Sequence, residues 1–152
     1  MNFEFIHQGD IFNSGCMALV NPVNCKGVMG KGLAKEFKKR FPRNFQIYKD
    51  KCAEGHLQTG RILIHQENGH IIMNFPTKDD WRSPSEYHYI DSGMKFLATQ
   101  LKFLPFITSI AIPPLGCGLG GLDWTIVCEG IKHGLLDVLG EDYPLNVKVY
   151  CP

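Results

Sequence analysis

Apolar residues recur along the chain at two different periods, and the switches between them mark out its elements. Residues 3–7 alternate weakly and predict a first strand, with a turn at Gly9-Asp10-Ile11. Residues 17–21 form a short apolar strand that runs into a glycine-bearing loop, NPVNCKGVMGKGLA, at 21–34. Leu33, Ala34, Phe37 and Phe41 then share one helix face until Pro42 ends the pattern. A further helix is predicted over 45–52, with Phe45, Tyr48 and Cys52 on one side. Residues 61–65 and 70–75 predict a hairpin, because Asn68-Gly69 between them accepts the positive φ that a tight turn requires. Ser83-Pro84-Ser85-Glu86 has the form of a capping box, and Ile90, Met94, Leu97, Ala98, Leu101 and Leu104 follow at helical spacing.

The most informative stretch is 109–124, SIAIPPLGCGLGGLDW. A strand ends at Pro113 and Pro114, a loop carries Gly116, Gly118, Gly120 and Gly121, and Asp123 supplies an N-cap. Val127, Ile131, Leu135 and Val138 give the last helix, closed by Gly140, and 146–150 is the last strand candidate. The strand runs are too continuously apolar for a one-sided sheet. The pattern predicts an α/β fold of three layers, α/β/α, around a central mixed, mostly parallel sheet. In such sheets ligands sit beyond the carboxyl ends of the strands, where the loops after Asn21, Phe75 and Pro113 all project. These loops can therefore surround one ligand.

Bare N–H groups at a helix N-terminus suit an anion, a phosphate or pyrophosphate above all. The plainer reading, a turn that needed glycine for sterics alone, requires fewer glycines than stand here. GCGLGG also satisfies G-x-G-x-x-G, but a dinucleotide fingerprint belongs to the first strand–helix–strand unit, with an acidic residue ending the next strand. Here the loop comes late, and the strand at 146–150 ends in Cys151 and Pro152.

Length fits a single domain over 1–152. No secretory signal or membrane span is visible, so a cytoplasmic location without membrane contact is expected. The six cysteines, at 16, 25, 52, 117, 128 and 151, show no metal-finger spacing and read as thiols; no histidine pair has helical ligand spacing. No metal or other cofactor is expected. Net charge is only +1, yet Lys31, Lys35, Lys38, Lys39, Arg40 and Arg43 face the single acid Glu36. Such a run is usually a solvated helix face, with phosphate-backbone contact as the second reading.

Two glycine loops, a Gly-Asp-Ile turn and paired asparagines together ask for a ligand with a pyrophosphate between two polar ends. Gly9-Asp10-Ile11, VNPVNCKGVMGKGLA and IPPLGCGLGGLDW resemble the adenine-recognition turn and the two phosphate-gripping loops of a macrodomain. Within macrodomains the chain most resembles the DNA ADP-ribosyl glycohydrolase antitoxins of the DarT–DarG type and the related terminal ADP-ribose glycohydrolases. The resemblance implies that Asp10 accepts from the adenine amino group, with the Ile11 N–H nearby. It implies that Asn24 and Gly27, Val28, Met29, Gly30, Lys31 and Gly32 hold the distal ribose, with Asn21 a further ADP-ribose contact. Leu115, Gly116, Cys117, Gly118, Leu119, Gly120 and Gly121 then wrap the pyrophosphate. Asp10 also reads as a turn former and Asn21 and Asn24 as bonding to backbone within a loop, roles that can coexist with binding.

Lys78 in NFPTKDDW matches the family's catalytic lysine, acting at the anomeric carbon of the distal ribose, with Thr77 beside it implied as an ADP-ribose contact. An amine is nucleophilic only when deprotonated, and Arg82 with two helix N-termini offers a field that helps, while Asp79 and Asp80 oppose it. The terminal ADP-ribose glycohydrolases pair their lysine with an aspartate where this chain has Gly120, so substrate assistance or water must replace it. Trp81 and Arg82 are candidate DNA contacts, Trp81 alternatively closing the core. The implied function is release of ADP-ribose from nucleobases, thymidine in particular, of single-stranded DNA by a monomer, as antitoxin to a DNA ADP-ribosyltransferase. A non-catalytic ADP-ribose reader and a hydrolase of modified protein side chains are the competing readings.

Overall fold

The computed structural model describes residues 1–152. Its strands are β1 (Asn2–Ile6), β2 (Ala18–Val23), β3 (Leu63–Glu67), β4 (His70–Pro76), β5 (Ser109–Ile112) and β6 (Asn146–Tyr150). Its helices are α1 (Gly32–Arg40), α2 (Pro42–Ala53), α3 (Tyr87–Phe103) and α4 (Trp124–Leu139), with a 3-10 turn at Ile11–Asn13. The six strands form one sheet in the order β1-β6-β5-β2-β4-β3, in which every pairing is parallel except β3 with β4.

Alternation along the strands explains the layers. Ala18 and Val20 of β2 and Ile71, Met73 and Phe75 of β4 face α3 and α4 in a core that includes Met94, Leu97, Ile131 and Leu135. Leu19 and Ile72 point the other way, against Phe37 and Phe41, and Val23 packs there with Tyr48 and Met29. The continuous apolar runs are thus buried on both sides. The hairpin turn forms as its residues dictate, with φ of 50° at Asn68 and 77° at Gly69. Pro42 stops α1 and opens α2 as its first residue, where a missing N–H costs nothing.

The strand predicted over 61–65 forms two residues later, as β3, and α3 also begins later than its sequence predicts. The capping box at Ser83 does not form; α3 starts at Tyr87, because Glu86 is extended (φ −131°, ψ 145°) and Ser85 donates its N–H to Gly120 O at 3.1 Å. Asp123 does cap α4, accepting from Thr125 N at 2.8 Å. No helix is long and apolar enough to cross a membrane.

Candidate functional site

The parallel strands β2, β4 and β5 end at one edge of the sheet, so their following loops meet there. Beside them, a cleft of about 350 Å³ is lined by Gly9, Asp10, Ile11, Leu33, Pro113 and Tyr150, among others. Asp10 caps the 3-10 turn: one carboxylate oxygen accepts from Phe12 N at 2.9 Å, and the other accepts from no group of the protein. Ile11 is buried and floors the turn. The apolar walls and one spare carboxylate oxygen suit a flat ring that carries an amino group.

The first glycine loop is shaped by Asn24. Its Oδ1 accepts from Lys26 N at 2.9 Å and from Tyr48 Oη at 2.9 Å, and its Nδ2 donates to Val28 O at 2.7 Å. Both ends of the amide are thus engaged within the protein, as the loop-bonding reading has it. Asn21 is fully buried beneath the loop, where its Nδ2 donates to Asn74 Oδ1 at 3.1 Å. Asn74 continues inward to Asn44, and Glu67 accepts from Asn44 N at 2.7 Å at the start of α2. Met29 is buried against Tyr48, so its contribution to a ligand is confined to backbone. Gly27 (φ 80°), Val28, Gly30, Lys31 and Gly32 remain at the surface, and the N–H groups of Gly30 and Lys31 have no acceptor in the protein.

The second loop is a tight double turn. Cys117 N donates to Pro114 O at 3.1 Å, Gly121 N to Gly118 O at 3.2 Å and Leu122 N to Gly116 O at 2.9 Å. Gly116 needs its φ of 73°, and a side chain there would meet Leu122 Cδ1 at 2.8 Å. Leu115 is wholly buried and anchors the turn. The N–H groups of Gly118, Leu119 and Gly120 donate to nothing in the protein. Three successive free amides ahead of a capped helix form an anion-binding concavity.

The third loop carries Lys78. It continues the β2–β4 ladder past the strand ends: Val23 stays opposite Pro76, Thr77 N donates to Val23 O at 2.9 Å, and Cys25 N to Asp79 O at 2.9 Å. Half-buried Lys78 stretches from there to the second loop, its Nζ donating to Leu119 O at 3.4 Å and Trp81 O at 3.5 Å. The amine thus bridges to the second loop, while the backbone beside it is bonded to Cys25 of the first. Arg82 does not face it as the sequence suggests. Its guanidinium grips Asp80 in two hydrogen bonds, at 2.7 and 3.0 Å, which hold the Asp80 carboxyl well below the usual range and occupy the positive charge. Asp79 leans outward toward Lys26 at 3.9 Å. Trp81 is 51% exposed and closes no core; the Arg82 guanidinium lies 5.3 Å from its ring centre.

Two thiols near the site are poor nucleophiles. Burial, reinforced by Asp79, pushes Cys25 up to about 12, and burial with Asp123 pushes Cys117 up to about 11. Both are protonated near neutral pH. Sequence reasoning missed Tyr48, whose hydroxyl also donates to Asn24 O at 2.8 Å, and Asn74. A polar residue inside the apolar run of β4 was the available signal for Asn74.

Comparison with known proteins agrees with this geometry. The family model described as Macro domain matches residues 20–131. The chain is 43% identical over 149 residues to a Thermus aquaticus protein named DNA ADP-ribosyl glycohydrolase, covering 95% of this chain and 40% of that one. A Mycobacterium tuberculosis protein of the same name is 40% identical over 150 residues, covering 95% of this chain and 41% of the other. The chain therefore spans about two fifths of the length of these curated relatives. Among solved structures, the macrodomain of M. tuberculosis DarG superposes with a TM-score of 0.89 at 38% identity, covering 98% of both chains. Thermosipho africanus DarTG in complex with ADP-ribose superposes at 0.87 with 34% identity, over 99% of this chain and 42% of the other. On sequence and fold alike, the chain belongs to the macrodomain family, as a macrodomain of the DarG type.

Proposed function

We propose that this chain is a DNA ADP-ribosyl glycohydrolase, a single macrodomain that releases ADP-ribose from a nucleobase of single-stranded DNA. The observation that carries the reading is the Lys78 amine, tied to Leu119 O of the anion loop. The base of ADP-ribose would enter the Asp10 cleft, its pyrophosphate the free amides of the second loop, and its distal ribose the space between Lys78 and the first loop. In the reaction the bond from the anomeric carbon to the base nitrogen breaks. The base leaves with a proton, and water supplies the hydroxyl that ends on the sugar carbon. Fixing the sugar against Lys78 supplies much of the rate. The printed names of the relatives support the DNA linkage. A Thermosipho africanus relative, 36% identical, named as a fusion of DNA ADP-ribosyl transferase with the glycohydrolase supports a toxin partner of transferase activity.

The test is release of free ADP-ribose from an ADP-ribosylated thymidine oligonucleotide, wild type beside Lys78→Ala, with ADP-ribose binding measured for both. Turnover is expected to fall by at least a hundredfold in the variant, with binding retained within a few fold. If both proteins bind and neither turns over, the chain is a reader. Release from a glutamate-linked conjugate alone would assign it to modified protein.

A further inference from the structure

Between Trp81 and α3 lies a residue whose burial has no evident use. Ser85 is 5% exposed, and its Oγ is buried without any hydrogen-bond partner. A hydroxyl in that condition weakens the free protein, since it has given up water for nothing. Its surroundings are specific. The Ser85 N–H holds Gly120 O at 3.1 Å, and the adjacent carbonyl, of Leu119, is the one that receives Lys78. A carbon placed on Gly120 would lie 2.3 Å from Ser85 Oγ and 2.5 Å from Gly116 O. The serine hydroxyl and the Gly116 carbonyl therefore both crowd the bare α-carbon of Gly120, leaving no room for a side chain between them. Gly116 O already accepts from Leu122 N, and a carbonyl has room for a second donor.

We propose that Ser85 is a positioning residue for the anion loop, its hydroxyl closing onto Gly116 O when the loop takes up its ligand. An anion drawing in the amides of Gly118, Leu119 and Gly120 contracts the turn and brings Gly116 O within reach of the hydroxyl. The new bond holds the contracted turn, and through Leu119 it sets the place of Lys78. The hydroxyl lacks a partner in the free protein because its partner belongs to the bound form. This rests on the reading of the second loop as the pyrophosphate site of ADP-ribose.

The test compares wild type, Ser85→Ala and Ser85→Cys by calorimetric titration with ADP-ribose and by thermal melting with and without it. Ser85→Ala is expected to melt at or above the wild-type temperature when free. It should bind ADP-ribose about five- to tenfold more weakly, with a smaller ligand-induced rise in Tm. Ser85→Cys, which keeps the volume and a weak donor, should fall between. Wild-type affinity in Ser85→Ala overturns the proposal. So does a lower free Tm with unchanged affinity, which makes the serine a purely structural residue. Failure of the wild type itself to bind ADP-ribose overturns the ligand assignment and the proposal with it.

Discussion

Replacing Gly120 by alanine tests the geometry of the second loop directly. The added carbon would stand 2.3 Å from Ser85 Oγ, 2.9 Å from Ser85 Cβ and 2.5 Å from Gly116 O. The serine hydroxyl can rotate away, but the Gly116 carbonyl is backbone, fixed by Leu122 N at 2.9 Å and by the positive φ of Gly116. The turn must therefore open or the 85–87 segment must withdraw, and either change disturbs the free amides and the carbonyl that holds Lys78. Overpacking of this kind costs about 1–3 kcal/mol. For a domain of this size that lowers Tm by roughly 2–10 °C. If the strain falls on the ligated turn, ADP-ribose affinity drops by about ten- to a hundredfold. The reference is Gly118→Ala, where a side chain would meet nothing within 4 Å and φ needs no glycine, so its Tm should stay within about a degree of wild type. Thermal melting and calorimetric titration read both effects. Gly120→Ala that melts and binds like wild type would refute the packing argument, and with it the need for glycine at this position.

Two further outcomes follow from buried groups. Asn74→Leu removes both amide ends at the centre of the Asn21–Asn74–Asn44 chain and orphans its buried partners, so urea unfolding should show a loss of about 3 kcal/mol or more with an unchanged m-value; a loss under 1 kcal/mol would mean the network contributes little. Cys25 has a native value raised from 9.0 to about 12, so the native state keeps a proton that the unfolded chain loses above pH 9. Its contribution is therefore intact below pH 9 and declines as pH rises toward 12, and the fall in stability between pH 8 and 10 should be shallower in Cys25→Ala. An identical slope in the two proteins would contradict the burial argument.

What could be read from the sequence was what neighbouring residues decide among themselves. Asn68-Gly69 makes its turn, Pro42 divides two helices and Asp123 caps α4 because each outcome depends on a few adjacent groups. The sheet edge shared by three loops was legible too, since apolar runs fix the strands and parallel pairing aligns their ends. Residues whose fate is settled by distant partners were not. Ser83-Pro84-Ser85-Glu86 is a sound capping box until the Gly120 carbonyl takes the Ser85 N–H. Asn21 and Asn24 suggest ligand contacts, but their internal bonds, Asn21 Nδ2 to Asn74 and Asn24 Nδ2 to Val28 O, depend on β2–β4 register and on the fold of the loop. Arg82 offers a charge that Asp80, two residues away, engages in full, an arrangement that only side-chain geometry reveals.

The prolongation of the β2–β4 ladder gives the site an unequal distribution of stiffness. Thr77 and Asp79 are both rungs of that ladder, bonded to Val23 and Cys25, and Lys78 is the residue strung between them. A residue on a surface loop ordinarily shares the loop's wandering, whereas the backbone of Lys78 is held on both sides by bonds to the middle of the sheet. The turn at 118–121 is tied to the rest of the protein chiefly at Gly120, through Ser85 N, while its tip at Gly118 and Leu119 lies exposed and is touched by the lysine amine. The cleft therefore has a fixed jaw and a soft one. The lysine keeps its station, and adjustment to the ligand falls to the glycines.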